Sequence, residues 1–124
     1  MKRDMDLIRE ILLQKEAEKN PMTLSCTKEE FTYHVALLKE GGLVEAIIQS
    51  NHVGMPSKAV VIRLTMAGHD FLDSARNENV WHKAKEHIIK SGTAWTFSIL
   101  AEVLKSLAKQ QLAQFGLPSL GGQE

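Results

Sequence analysis

The stretch TKEEFTYHVALLKEGG, residues 27–42, decides the fold together with the run LVEAII that follows it at residues 43–48. Thr27 and Glu30 have the spacing of a capping box, in which each side chain accepts a backbone N–H of the other residue, so a helix should begin here. The two glycines at the end of the stretch supply the left-handed position at which helices commonly stop. The pattern predicts a helix over about residues 28–40, followed directly by a strand.

A second run rich in Val and Ile, residues 59–64, follows the first after a stretch dense in turn-forming residues, 49–58. The two runs predict an antiparallel hairpin with a long tip. Thr65 can then cap a further helix that extends to about Arg76. The apolar residues that this helix should bury are Met66, Phe71, Leu72 and Ala75.

Residues 4–19 carry apolar side chains at helical spacing and predict an amphipathic helix, which the Asn20-Pro21 pair should end. The following residues, 22–25, are short and β-tolerant, and they could add one brief strand. Apolar stripes beyond residue 80 predict a helix that closes at Ser91-Gly92 and a final helix from about Trp95 to Phe115.

This order of helix, short strand, helix, hairpin and helix predicts a mostly α protein with a small β-hairpin (α+β). More narrowly, it favours a winged helix-turn-helix-like domain over residues 1–76, a helical extension over 77–117 and a flexible tail over 118–124. In winged helices, the helix before the hairpin is the one that enters the major groove of DNA. The segment 20–26 is too short for a full first helix of the helix-turn-helix pair.

The charge balance argues against strong non-specific attraction to DNA. Fifteen Lys and Arg face fifteen Asp and Glu, so the formal net charge is zero. The single cysteine, Cys26, excludes an internal disulfide, and no apolar run approaches the roughly 20 residues that span a bilayer. The opening residues do not resemble a signal peptide, and we expect a cytoplasmic protein without membrane contact.

Three blocks of the chain carry a family resemblance: MKRDMDLIR at residues 1–9, YHVALLKEGGLVEA at 33–46 and LTMAGHDFLD at 64–73. They resemble domain-of-unknown-function family 2513, the YjcQ-like proteins that are often encoded in phages and prophages. The resemblance extends over nearly the whole chain and implies a winged-helix fold without an established biochemical activity. Gly41 stands where the family pattern usually has alanine, and Met66 where it usually has tryptophan.

If the chain binds DNA, the contacts should come from the outer face of helix 28–40 and from the tip of the hairpin. The candidates for nucleic-acid contact are Lys28, Thr32, Tyr33, Lys39, Asn51, His52 and Lys58. A solvated helix face with Tyr33 packed on a neighbour, and a polar loop at the hairpin tip, explain the same residues without DNA.

No metal-ligand spacing, phosphate loop or nucleophile elbow occurs in the sequence, so we expect neither a metal site, nor a cofactor, nor enzymatic activity. His34 and His69 should pack beside the core, each with a ring nitrogen bonded to the backbone. Cys26 precedes a helix N-terminus, a position that can lower a thiol pKa, although its commoner role would be a small buried apolar residue.

The final helix offers a candidate surface for forming a homodimer. Its proposed oligomerisation residues are Leu100, Val103, Leu104 and Leu107. Alternatively, this apolar stripe folds back on the first helix and completes the core of a monomer.

Two functions follow from these observations. The first is a phage-type winged-helix DNA-binding protein, a transcriptional regulator in which each subunit of a dimer reads one half-site of double-stranded DNA. The alternative is a protein-protein interaction module that binds a host or phage protein and does not bind DNA.

Overall fold

A computed structural model describes residues 1–92 and 96–114. The elements of this part of the chain are α1 (Met5–Glu16), α2 (Lys28–Glu40), β1 (Val44–Ser50), β2 (Pro56–Leu64), α3 (Met66–Ala75), α4 (Glu78–Ser91) and α5 (Phe97–Gln114). The predicted class, mostly α with a small antiparallel hairpin, is confirmed. The chain forms two compact units, Met1–Leu72 and Asp73–Glu124.

Helix α1 is capped at its N-terminus by the side chain of Asp4. The Asp4 carboxylate accepts the backbone N–H groups of Asp6 and Leu7, at 3.0 and 3.2 Å. Ile11 and Leu12 are fully buried, so the predicted apolar stripe forms part of the core. The helix stops at Glu16, three residues before the predicted end at 19, and Glu18 takes a left-handed conformation just beyond it.

The brief strand predicted at residues 22–25 does not form. The side-chain amide of Gln14, buried in α1, donates to the Thr23 carbonyl at 2.8 Å, and its oxygen accepts the Thr23 N–H at 2.7 Å. Both backbone groups of Thr23 are thereby satisfied by a side chain instead of a neighbouring strand. The prediction of a strand here is wrong, because a partner nine residues earlier in the chain competes for the backbone.

The capping box of α2 forms as predicted. The Thr27 hydroxyl accepts the N–H of Glu30 at 3.0 Å, and the Glu30 carboxylate accepts the N–H of Thr27 at 2.9 Å. Val35 and Leu38 are buried, and α2 packs against both strands of the hairpin. We call the side of the hairpin that carries buried Ala46 and Val61 its inner face.

The hairpin strands are longer than predicted, and the tip is only residues 51–55. The side chain of Asn51 explains this short tip, because its oxygen accepts the N–H groups of Val53 and Met55, both at 3.0 Å. The prediction of a long tip over 49–58 is therefore wrong. Ile47 lies opposite Val60 in the antiparallel register.

Helix α3 is capped by Thr65, as the sequence predicted. The Thr65 hydroxyl accepts the N–H of Gly68 at 3.1 Å and donates to the Gly42 carbonyl at 2.6 Å, which links the start of α3 to the end of α2. Phe71, Leu72 and Ala75 are buried as predicted. Met66 was also expected in the core, but this expectation is wrong, because the first residue of α3 lies on its solvent side.

In the second unit, Asn77 caps the start of α4 and Gly92 caps its end; the φ of Gly92, 69°, is left-handed, and the sequence predicted that the helix closes at Ser91-Gly92. Helix α5 packs against α4. The predicted helix ends at Trp95 and Phe115, and the predicted tail at 118–124, lie outside the described residues. Within residues 1–92 and 96–114, no helix has the length and hydropathy needed to cross a membrane.

Candidate functional site

The surface of α2 exposes fewer of the predicted polar contact residues than the sequence suggested. Lys28 and Lys39 are exposed, but Thr32 has only 2% of its surface exposed, and its hydroxyl oxygen has no hydrogen-bond partner among the described residues. Helix α2 is covered by α1 as well as by both strands, so its buried arc is wider than one apolar stripe. The expectation that Thr32 lies on the outer face is wrong, and this residue cannot reach a base edge.

The uncovered side of α2 carries one exposed lysine and one exposed glutamate at each end, Lys28 with Glu29 and Lys39 with Glu40, and it is largely apolar between them. Glu29 and Glu40 are exposed, and Tyr33, Ala36 and Leu37 between them are half-buried. The Tyr33 ring packs edge-on against the ring of its neighbour His34, with 5.4 Å between ring centres. This surface would present two carboxylates as well as two ammonium groups to the phosphates on either side of a DNA groove.

The two histidines expected beside the core behave differently. His34 is buried as predicted, and both of its ring nitrogens bond to backbone groups, Nε2 to the Asp4 N–H and Nδ1 to the Glu30 carbonyl. His69 is exposed, so the expectation that it packs beside the core is wrong. Its neighbour Gly68 takes the inward position on α3, and one step along a helix turns the next side chain by about 100°.

The three candidates near the hairpin tip lie at the surface, but one of them already has a structural role. His52 and Lys58 are exposed. The side-chain oxygen of Asn51 is occupied by the tip itself, which leaves only its NH₂ group for another molecule. Contact of these residues with nucleic acid stays a prediction.

The side of the hairpin opposite its inner face exposes large apolar side chains. This outer hairpin face consists of Ile47, Val60 and Ile62, with 56, 53 and 48% of their surfaces exposed, and the tip adds exposed Val53 and Met55. Sequence reasoning missed this face, although a signal was present: the runs 43–48 and 59–64 each have five apolar residues out of six, whereas a strand solvated on one side alternates.

A groove of about 630 Å³ lies within the first unit, along β2. Its apolar lining includes Met22, Leu24, Phe31, Val60 and Val61, and three lysines stand at its margin: Lys15, Lys19 and Lys28. The one carboxylate in its lining belongs to Glu18, which is 4.0 Å from the Lys15 ammonium. Sequence reasoning missed the groove, because its walls come from separate parts of the chain.

Cys26 also lines this groove and is half-buried. Burial raises the pKa of its thiol, and the nearby carboxylates of Glu30 and Asp4 raise that pKa further. The position before α2 therefore does not lower the thiol pKa as the sequence suggested. This cysteine is poorly suited to nucleophilic chemistry.

The four candidates for oligomerisation divide into two pairs. Leu100 and Leu104 are fully buried, so they are not available to a second subunit, which corrects their assignment as interface residues. Val103 and Leu107 are half-buried and line a depression of about 430 Å³ in the second unit.

No group of three potential ligands from His, Cys, Asp and Glu is arranged to hold a metal ion in residues 1–92 and 96–114.

Comparison with known proteins supports a family assignment. A family model described as "Hypothetical protein (DUF2513)" matches residues 2–94. An uncharacterized protein of Haemophilus influenzae is 35% identical over 121 residues, and the alignment covers 91% of this chain and all of that protein. No solved structure matches the chain.

Proposed function

This chain belongs to the DUF2513 family, and we propose that its first unit is a winged-helix-type module that binds another protein through the outer hairpin face. The observation that carries the proposal is the exposure of Ile47, Val60 and Ile62 side by side on the hairpin. Contiguous exposed apolar surface is costly in water and marks interaction sites in soluble proteins.

Pairing across the hairpin makes this surface continuous. Ile47 and Val60 are register partners on neighbouring strands, and side chains of such pairs on one face lie within about 4.5–5.5 Å of each other at Cβ. The Arg63 guanidinium donates to the Glu45 carboxylate at 2.6 Å and marks the end of the apolar area nearest α2. A partner with a complementary apolar surface would remove these side chains from water.

The charges favour a protein partner over DNA. The first unit, Met1–Leu72, holds nine Lys and Arg against ten Asp and Glu, so it lacks the basic excess of a DNA-binding domain. On α2, the helix that would have to enter the major groove, the exposed carboxylates of Glu29 and Glu40 offset the exposed ammonium groups of Lys28 and Lys39.

Affinity capture with matched variants tests the proposal. The tagged wild-type chain and an Ile47→Lys/Ile62→Lys variant are used to isolate partners from bacterial lysate, with Ile89→Lys as the control. Ile89 is 67% exposed on α4, in the other unit, so its replacement introduces a lysine at an exposed apolar position outside the hairpin. A stoichiometric partner should bind wild type and control but not the double variant.

Two results would contradict this function. If no stoichiometric partner is recovered, or if the double variant retains it, the outer hairpin face is not the interface. If sedimentation shows a dimer of the chain that only the double variant abolishes, the face pairs two copies, and the proposal of a different partner protein fails.

DNA binding is a second candidate, favoured by three lysines. Lys28 and Lys39 lie at the two ends of α2 and Lys58 near the hairpin tip; all three are exposed, and none makes an ion pair among the described residues. Three phosphate contacts predict that log K falls with log salt with a slope of about −3. Fluorescence anisotropy of a mixed-sequence duplex, with a Lys28→Ala/Lys39→Ala variant for comparison, tests this. Unchanged affinity and slope in the variant would exclude these contacts.

A further inference from the structure

We propose that the groove along β2 binds an extended peptide segment of a partner protein, which adds to the free edge of β2 as a third strand. The segment should alternate apolar and acidic side chains. This inference rests on the proposed function for the class of partner, and it assigns a second surface that adjoins the outer hairpin face at Val60.

One edge of strand β2 is open. In the described residues, the hairpin is a sheet of two strands, so β2 has β1 on one side and no strand on the other. Three consecutive residues of β2 line the groove: Ala59, Val60 and Val61. Because successive side chains point to opposite faces of a sheet, three in a row can border one groove only if it runs along the strand's edge.

The opposite wall is an extended segment that does not pair with β2. Met22 and Leu24 are half-buried and line the groove, whereas Thr23 between them is exposed, which is the alternation of an extended chain; the chain bends at Ser25 and Cys26. Among the described residues, no backbone hydrogen bond joins this segment to β2. Its conformation is held from behind by the two hydrogen bonds between Gln14 and Thr23.

An open strand edge facing an extended wall is the geometry of β-strand addition. In that mode, main-chain hydrogen bonds supply affinity, and pockets for alternate side chains supply specificity. The volume of about 630 Å³ lies within the range of roughly 300–1,000 Å³ that sites for drug-sized ligands span. The groove therefore has room for a short extended segment.

The charges at the margin specify acidic residues in that segment. Lys19 and Lys28 make no ion pair among the described residues, and Lys15 is offset only by Glu18 at 4.0 Å. The lining of the groove thus carries three ammonium groups and one carboxylate, with Glu30 and Asp4 near Cys26, in a unit that is slightly acidic as a whole. Because Val60 belongs to both surfaces, a partner lying on the outer hairpin face can extend a segment into the groove.

The test uses a blocked heptapeptide that alternates Val and Glu, titrated into the isotopically labelled full chain and followed by NMR. Amide signals of Ala59, Val60 and Val61 should shift, and the exchange of at least one of these amides with solvent should slow. A Lys19→Glu/Lys28→Glu variant should bind the peptide about tenfold more weakly. A Lys105→Glu/Lys109→Glu variant, on exposed positions of α5, is the matched control and should bind as wild type does.

Two N-methylated peptides distinguish strand addition from simple occupation of the groove. A strand directs alternate N–H groups to opposite sides, so methylating one alternate set should abolish binding and methylating the other should not. If both methylated peptides bind like the parent, if a Val-Lys peptide binds equally well, or if nothing binds at millimolar concentration, the proposal is overturned.

The outcome is independent of the test of the proposed function. Ile47 and Ile62 do not line the groove, and Lys19 and Lys28 do not belong to the outer hairpin face. Loss of the protein partner with normal peptide binding, or the reverse, therefore identifies which of the two surfaces has been assigned wrongly.

Discussion

The Nε2 atom of His34 in α2 accepts the backbone N–H of Asp4, the residue that caps α1, at a distance of 2.8 Å. The other ring nitrogen, Nδ1, lies 2.7 Å from the Glu30 carbonyl, which can only accept, so Nδ1 carries the proton and donates it. The buried imidazole is thereby fixed in one neutral tautomer, and it joins the start of the first helix to the middle of the second.

We predict that His34→Phe lowers the free energy of unfolding by about 1–3 kcal/mol, because phenylalanine fills much of the same space but leaves the Asp4 N–H without an acceptor. Urea denaturation measures this change. His69→Phe is the control, since His69 is exposed and its loss should change stability little. Equal effects of the two substitutions would contradict the assigned role of His34.

The start of α3 approaches the chain at Leu43 too closely for any side chain at position 68. A Cβ atom on Gly68 would lie 2.0 Å from the Leu43 carbonyl oxygen. Gly68→Ala should therefore destabilise the protein by about 1–3 kcal/mol or more. Gly41→Ala is the matched control: its Cβ would be 3.4 Å from the nearest atom, and φ there is −77°. This control should be neutral or slightly stabilising. Thermal unfolding of both variants tests the pair.

Thr32 and Thr27 should respond in opposite directions to replacement by valine. The Thr32 hydroxyl is buried without a hydrogen-bond partner in the part of the chain that the structure describes, so Thr32→Val removes a desolvated polar group and should stabilise the protein by about 1 kcal/mol. Thr27→Val removes the cap of α2 and should cost about 0.5–2 kcal/mol. The denaturant midpoints of the two variants, compared with that of the wild type, measure these changes in stability. If Thr32→Val is destabilising, the Thr32 hydroxyl has a hydrogen-bond partner in solution.

The thiol of Cys26 should react slowly with iodoacetamide at pH 8. Burial, then Glu30 and then Asp4 raise its pKa, so a smaller fraction is thiolate at this pH than in free cysteine, and the rate should still be rising at pH values where free cysteine has levelled off. Glu30→Gln keeps an oxygen for the Thr27 N–H but removes one of these charges, so it should lower the pKa and speed the reaction. A wild-type rate at or above that of free cysteine would refute this.

Local signals in the sequence determined the elements of this protein. The capping box at Thr27 and Glu30, the cap at Thr65 and the left-handed Gly92 each act within a few residues, and each lies where the sequence predicted. The mostly helical class with one hairpin follows from these elements, because apart from the short segment 22–25 their stops and starts leave two strand-forming runs, 43–48 and 59–64.

Only the tertiary structure decided which side chains are available at the surface. Thr32 is buried because α1 and both hairpin strands cover α2, and a wide covered arc of this kind is not recorded in the periodicity of one helix. His69 is exposed because its neighbour Gly68 is the residue of α3 that meets Leu43. The Gln14 side chain hydrogen-bonds to the backbone N–H and carbonyl of Thr23, the groups that a strand at residues 22–25 would have used for pairing. One edge of β2 therefore stays unpaired among the described residues, and it lies beside a groove. The candidate site was therefore beyond sequence reasoning, since it depends on a competition for hydrogen bonds between segments that meet only after folding.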